Sequence, residues 1–275
     1  MTKIYIATHK QVQLPQDEVL TPIFVGATGK QNIKLNNIAI LRDDSGDNIS
    51  HKNPYYCELT AVYWAWKNTS DTMIGLMHYR RFFDLNLLHR KMDYSRTEQS
   101  SNVYVPAKRR YYIESLYSHY SHTFDASHLD RTRDIIAMNY PGVLPYVDKA
   151  YKSTWGYMFN MFVMPRDKFD EYCSFLFDVL EKLEQSVDVS QLDAFNQRLF
   201  GRVSEILFTA WAMKLRAEGT TLVEIPVKDL EPVNWPKKIL WFLAAKFLGK
   251  KYTNSCYLGC NQGDCYENYC YHSIL

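Results

Sequence analysis

The stretch Met73-Ile74-Gly75-Leu76-Met77-His78-Tyr79-Arg80-Arg81 decides how this chain is read. An unbroken apolar run around a glycine suits a strand buried on both faces of a sheet rather than one half in water. The run ends abruptly in an imidazole, a phenol and two guanidiniums. Ligands of open α/β sheets lie beyond the carboxyl ends of the strands, so this end is a candidate site. Held by strand geometry, Arg80 and Arg81 can clamp a phosphate or diphosphate through several charged hydrogen bonds. The competing reading pairs one arginine with a structural acid and lets Tyr79 and Phe82 pack.

Outward from this strand the pattern repeats. Residues 3–8 form a β-rich run, and residues 22–25 a second one closed by Gly26 and Gly29. Residues 42–48 are turn chemistry throughout. Asn53 followed by Pro54 predicts a helix start, continued at helical spacing by Leu59, Val62, Tyr63 and Trp66. Residues 85–101 are polar and poorly periodic, whereas residues 112–120 and 129–138 read as helices and residues 159–164 as a buried strand. Asp167 can cap a helix carrying Phe169, Tyr172, Cys173, Leu176, Leu180 and Leu183. A further helix is predicted over 203–216 and a last strand over 222–227. Strands alternating with helices favour an α/β sheet sandwiched between helices.

With 275 residues, 47% of them hydrophobic, and only 11 glycines and 10 prolines, a disordered or collagenous chain is excluded. The net charge of +2, from 32 basic and 30 acidic residues, is too balanced for a broad nucleic-acid collar. The first ten residues lack the apolar core of a secretory signal, which points to the cytoplasm. No stretch reaches the roughly 18 apolar residues of a membrane span. The best, residues 239–248, contains Lys246. Six cysteines in such a protein are expected as reduced thiols.

Four further groups could carry chemistry. The loop from Asp43 through Asp44, Asp47 and Asn48 can bind a divalent metal or the hydroxyls of ribose and sugar, or merely cap its own backbone. It is not an EF-hand, because Pro54 stands where the bidentate glutamate would be. His119, His122 and His128 with Asp125 and Asp130 suggest a metal hydrolase, yet their spacing matches no zinc pattern. Capping or contact with an acceptor is the alternative, and Asn160 joins His119 and His122 as an acceptor-binding candidate. Residues 26–30 contain two glycines and a lysine but not the spacing of a phosphate loop. Glu205, opposite the stripe of Val203, Leu207 and Trp211, can be a general base on an acceptor hydroxyl or an ordinary acid near a helix start.

The tail is distinctive. Residues 233–252 combine Trp235, Trp241, Phe242 and Phe247 with Lys237, Lys238, Lys246, Lys250 and Lys251, the composition of an interfacial helix or of a docked helix with snorkelling lysines. Cys256, Cys260, Cys265 and Cys270 follow at spacings that match no standard metal site.

Asp47-Asn48-Ile49-Ser50, the run from Glu58 to Asn68, the run from Ile74 to Arg81 and the run from Phe200 to Glu205 together resemble a bacterial family of glycosyltransferases. Its members occur in capsular polysaccharide, exopolysaccharide and O-antigen synthesis and were long labelled only as a domain of unknown function. The resemblance covers about residues 3–252. It implies a GT-A-like, Rossmann-type α/β domain, placed at residues 1–232, while composition marks the basic amphipathic helix over 233–252 and the cysteine-rich tail over 253–275. In that fold Thr8, His9 and Lys10 lie near the nucleotide. The strand entering the donor site usually ends in an Asp-x-Asp metal motif, where this chain has His78-Tyr79-Arg80-Arg81.

The implied activity is transfer of a hexose from a nucleotide sugar, UDP-linked. Asp47, Asn48 and His78 would hold ribose or sugar, Tyr79 would line the donor, and Arg80 and Arg81 would replace the metal on the diphosphate. Glu205 would be the base. No cofactor is required on this expectation; if manganese served, the 43–47 loop would hold it. The acceptor would be a lipid-linked oligosaccharide, with residues 233–252 keeping the protein on the inner face of the plasma membrane. The rivals are a non-catalytic sugar-binding scaffold and a metal-dependent phosphoesterase built on the histidines.

Overall fold

The computed structural model describes residues 1–35, 38–92, 101–230 and Lys246. The helix expected over 233–252, apart from Lys246, and the cysteine-rich tail lie outside the described residues. Among the described residues nine strands form the central sheet: β1 (Thr2–Thr8), β2 (Leu20–Phe24), β3 (Leu41–Arg42), β4 (Met73–His78), β5 (Arg81–Phe83), β6 (Val103–Pro106), β7 (Phe162–Pro165), β8 (Leu222–Ile225) and β9 (Val227–Asp229). Their order is β8-β6-β7-β4-β1-β2-β3, while β5 folds back on β4 and β9 pairs with β5. β4, β1, β2 and β3 are mutually parallel, as are β6 and β8. β7 runs against both β4 and β6. The start of β7 therefore lies at the edge where the parallel strands end.

The helices are α1 (Asn53–Tyr56), α2 (Leu59–Asn68), α3 (Leu85–Lys91), α4 (Leu116–Ser121), α5 (Ser127–Asn139), α6 (Leu144–Lys152), α7 (Arg166–Ser186) and α8 (Leu199–Ala217). Successive strand residues face opposite sides of a sheet, and here they feed two cores. Tyr5, Ala7, Ile74 and Leu76 join the larger one, packed by α2 and α5 to α8, while Ile4, Ile6, Met73 and Met77 join the smaller one under α3. The apolar run from Met73 to Met77 is thus buried on both faces.

Gly75 allows β4 to sit against β7. A Cβ there would lie 2.8 Å from the Phe162 carbonyl oxygen and 2.8 Å from Val163 Cγ2. The obstruction is backbone as well as side chain, so it yields little. Gly75→Ala is expected to cost about 1–3 kcal/mol, the usual range for overpacking. Urea unfolding measures it, and an unchanged midpoint would contradict this packing.

Several elements differ from expectation. Residues 85–91 are helical because the Asp84 side chain caps the Leu87 N–H at 3.1 Å. The helix expected to run from Asn53 to Trp66 breaks at Cys57, whose φ is 53°. Asp167 sits in the first turn of α7 rather than capping it, since Pro165 holds the N-cap position. α4 begins only at Leu116, where Ser115 and Ser118 form a reciprocal capping box. Strand β7 begins at Phe162 because Phe159 and Asn160 take φ of 77° and 51°.

Candidate active site

Cross-strand partners of a hairpin share a sheet face. His78 pairs with Arg81, leaving Tyr79 and Arg80 as the turn between β4 and β5. This divides the four-residue motif. His78 and Arg81 line a cleft at the strand ends. Tyr79 instead enters the smaller core, its ring met edge-on by His9 at 5.1 Å and covered by the Lys10 ammonium at 5.4 Å. The Arg80 guanidinium lies 5.3 Å from the same ring. The Tyr79 N–H donates to the Ala7 carbonyl at 3.1 Å, so the end of β1 does meet the hairpin. Thr8 is fully buried, its hydroxyl donating to the Lys10 carbonyl at 2.7 Å.

The cleft is organised around the backbone of Phe159. Its N–H donates to Glu205 Oε1 at 2.9 Å, and its carbonyl accepts from His78 Nε2 at 2.5 Å. A carbonyl can only accept, so His78 carries its proton on Nε2. Burial pushes the His78 pKa down, which favours the neutral ring. Glu205 on α8 is pushed up to about 7, first by burial and then by the negative charge of Glu58. The Phe159 N–H, Arg109 and Arg81 partly offset this. A carboxyl titrating near neutrality can release and accept a proton at working pH.

Asn160 is 1% exposed, and both polar atoms of its side chain are engaged. Nδ2 donates to Glu58 Oε1 at 2.7 Å and to the Gly201 carbonyl at 3.0 Å, while Oδ1 accepts from the Ser204 hydroxyl at 3.0 Å. It fastens α8 to the β7 entry and holds Glu58 beside Glu205. Glu58 and Glu205 both line the cleft.

Cations surround the two carboxylates. Arg81, Arg198 and Arg202 line the cleft with Tyr111 and His119. The Arg81 Nε donates to Asp229 Oδ1 at 2.7 Å, and its guanidinium lies 4.5 Å from the Phe159 ring centroid. Arg202 is stacked over Phe124 at 3.9 Å and Phe195 at 4.4 Å, and Arg109 reaches to 5.4 Å from Phe159. Such a rim suits an anionic ligand.

The histidine group does not converge. His119 and His122 donate through Nδ1 to the two oxygens of Glu114, at 2.7 and 2.6 Å. Burial alone would raise the Glu114 carboxyl, but the two histidine contacts outweigh it and hold it below its ordinary value. His119 also packs against Tyr111 at 4.5 Å and faces the cleft. His128 is apart, beside the Tyr120 hydroxyl at 3.2 Å. Asp125 caps the Ser127 N–H, and Asp130 accepts from Tyr117. This spread contradicts a shared metal-hydrolase centre.

Asp43 is no exposed ligand. Fully buried, it accepts from the Gly26 and Ala27 N–H groups at 2.8 and 3.1 Å and from the Ser50 and Thr60 hydroxyls at 2.5 and 2.6 Å. Asp44 pairs with Arg42 at 2.6 Å. Asp47 accepts from the Tyr63 hydroxyl at 3.2 Å, and Asn48 caps the Ser50 N–H at 3.2 Å. None of these four lines the cleft. Among the described residues, no three His, Cys, Asp or Glu side chains are grouped to hold a metal ion.

The sequence reading missed Glu58, Tyr111 and Glu114, and it gave Arg198 and Arg202 no role. A signal for one arginine was present: Arg202 and Glu205 are spaced i, i+3 and so share a face of α8, whose N-cap is Arg198.

A mixed α/β sheet between helices, with a charged cleft at the strand ends, defines a GT-A-like protein, and a solved structure agrees. The WbbM bifunctional glycosyltransferase in its apo form is similar at a TM-score of 0.73 and 26% identity, over 84% of this chain and 45% of that one. This chain therefore spans less than half of that protein. It belongs to the family described as a domain of unknown function, DUF4422, whose family model matches residues 3–216. No curated protein matches it.

Proposed function

We propose that this chain is a glycosyltransferase that moves a hexose from a nucleotide sugar, UDP-linked, to a glycan acceptor. The observation that carries this reading is Glu205, a carboxyl titrating at about 7 inside a cleft rimmed by Arg81, Arg198 and Arg202. The acceptor hydroxyl oxygen bonds to the anomeric carbon as the bond from that carbon to the diphosphate oxygen breaks. Glu205 takes the hydroxyl proton, and the nucleoside diphosphate leaves with the electron pair. Charge on the departing diphosphate grows in the transition state, where fixed guanidiniums count most. Arg81 has the strongest claim to that role, because it lines the cleft whereas Arg80 turns toward Tyr79. The family resemblance and the WbbM likeness support the same activity.

In this proposal the arginines replace a divalent metal, since the hairpin that would carry two acids carries guanidiniums instead. The acceptor is a lipid-linked oligosaccharide of capsule, exopolysaccharide or O-antigen synthesis, and the lysine- and aromatic-rich residues 233–252 keep the protein at the membrane surface. No helix among the described residues is long and apolar enough to cross a membrane.

Turnover of a panel of UDP-, GDP- and dTDP-sugars, with manganese or with a chelator, tests the reading. Turnover of one nucleotide class is expected, undiminished by the chelator. Arg81→Ala is expected to weaken donor binding at least tenfold, the loss of roughly 1.5–3 kcal/mol for a charged hydrogen bond. Strict manganese dependence would return the metal to the mechanism. Donor binding without turnover would favour the scaffold.

A further inference from the structure

Resting on the glycosyl-transfer reading above, we propose that the groove beside Trp155 is a second saccharide subsite, which takes an acidic unit of the acceptor glycan. The groove is registered to the base by α8. Glu205, Thr209 and Met213 lie four residues apart along one helix stripe, and the segment 155–159 runs beside them. The Phe159 N–H bonds Glu205 at 2.9 Å, the Tyr157 N–H bonds the Thr209 hydroxyl at 3.0 Å, and Trp155 and Met213 meet in the wall of the groove. Eight helical residues rise about 12 Å. Cleft and groove thus lie about 12 Å apart along α8, with buried Thr209 and Tyr157 forming the wall between them.

The chemistry of the groove fits a charged sugar. Half-buried Trp155 supplies an indole for the C–H face of a pyranose, anchored edge-on by Tyr157 at 5.4 Å. Lys108 lies 4.6 Å from the indole centroid but is ion-paired with Glu224 at 2.9 Å, so the free positive charge of the groove comes from α6. Lys149 and Lys152, exposed at the end of α6, line the same groove. Neither ammonium makes a hydrogen bond or close ion pair among the described residues, though, after Arg133, the Lys152 charge helps hold the Asp148 carboxyl below its ordinary value. Asp148 is the acid of the groove, and it is neutralised by Arg133 through contacts of 2.6 and 3.0 Å. The balance is positive, which selects a sugar bearing carboxylate or phosphate over a neutral one.

Calorimetry on the full chain tests this with hexamers of galacturonate and of hyaluronan, a glycerol-phosphate oligomer, and neutral maltohexaose. At least one acidic oligomer is expected to bind, at least tenfold more tightly than maltohexaose, with affinity falling as salt rises. Lys149→Ala/Lys152→Ala is expected to weaken it at least tenfold. These lysines are exposed, so the fold should be intact, which a thermal melt verifies. Trp155→Ala is expected to do the same, with Trp155→Phe in between. If no acidic oligomer binds, if maltohexaose binds equally well, or if the lysine variant binds unchanged, the subsite is overturned. Donor turnover by the wild type separates the two ideas. Acidic-oligomer binding without any donor turnover keeps the subsite and rejects transfer; turnover without such binding rejects the subsite alone.

Discussion

Glu205→Gln is expected to lower kcat by about a hundred- to ten-thousandfold, the span assigned to a positioned general base, while donor affinity changes little. Glutamine keeps an oxygen to accept the Phe159 N–H, so the loop geometry should survive. The wild-type rate should rise with pH through about 7, where the carboxyl loses its proton. Stability should move the other way. The folded-state pKa is raised above the ordinary carboxyl value, so the folded protein binds this proton more tightly than the unfolded chain does. This group therefore weakens the fold progressively as pH climbs from the ordinary value to about 7, and its cost is complete above that. The glutamine variant escapes the cost and should exceed wild type at pH 8 by roughly 1–3 kcal/mol. Kinetics and urea titrations at pH 5.5 and 8 measure both. An active variant would remove Glu205 from the chemistry, and a variant less stable at pH 8 would contradict its raised pKa.

Asp43→Ala is expected to be among the most damaging substitutions in the protein. It strands two backbone N–H groups and the Ser50 hydroxyl in a site without exposure, while the Thr60 hydroxyl has only the Cys57 carbonyl at 3.1 Å left to accept from it. Each charged hydrogen bond is worth about 1.5–3 kcal/mol and each abandoned buried group costs about 1–3, so even with heavy overlap a loss of about 4 kcal/mol is reasonable. Asp43→Asn should not rescue it, because its amide would bring a donor to a ring of donors. The readout is the urea midpoint. A metal-binding role would instead leave stability unchanged and show itself only in activity.

Much of the fold was legible because its strands are continuous apolar runs and its long helices keep a three-four rhythm. Met73–His78 and Phe169 to Leu183 needed no tertiary information. Breaks in that rhythm were less visible. Nothing about Cys57 announces a positive φ, and a side chain at Phe159 would ordinarily avoid one. The site was half legible for a related reason. His78, Arg81, His119 and Glu205 were identified by residue type and position, and the cleft brings them together. A carboxylate's role depends on what buries it, which one-dimensional spacing cannot show. Asp43 read as part of a polar loop but is a buried clamp, whereas Glu58, in an unremarkable context, is one of the two acids lining the cleft.

The reversed direction of β7 carries a consequence for how the molecule is made. Because β7 inserts between β4 and β6, Gly75 must find Val163, and Tyr104 must find the same residue from the other side. β8 must then return to β6 across more than a hundred residues. Pairings this distant in sequence make folding slow, since chain closure is paid for before the contacts that reward it form. Until β7 docks, β4 and β6 expose unpaired apolar edges, and a nascent chain that stops before residue 162 has no way to cover them. Expression at low temperature or with a chaperone should therefore raise the yield of soluble protein more than any change to its surface.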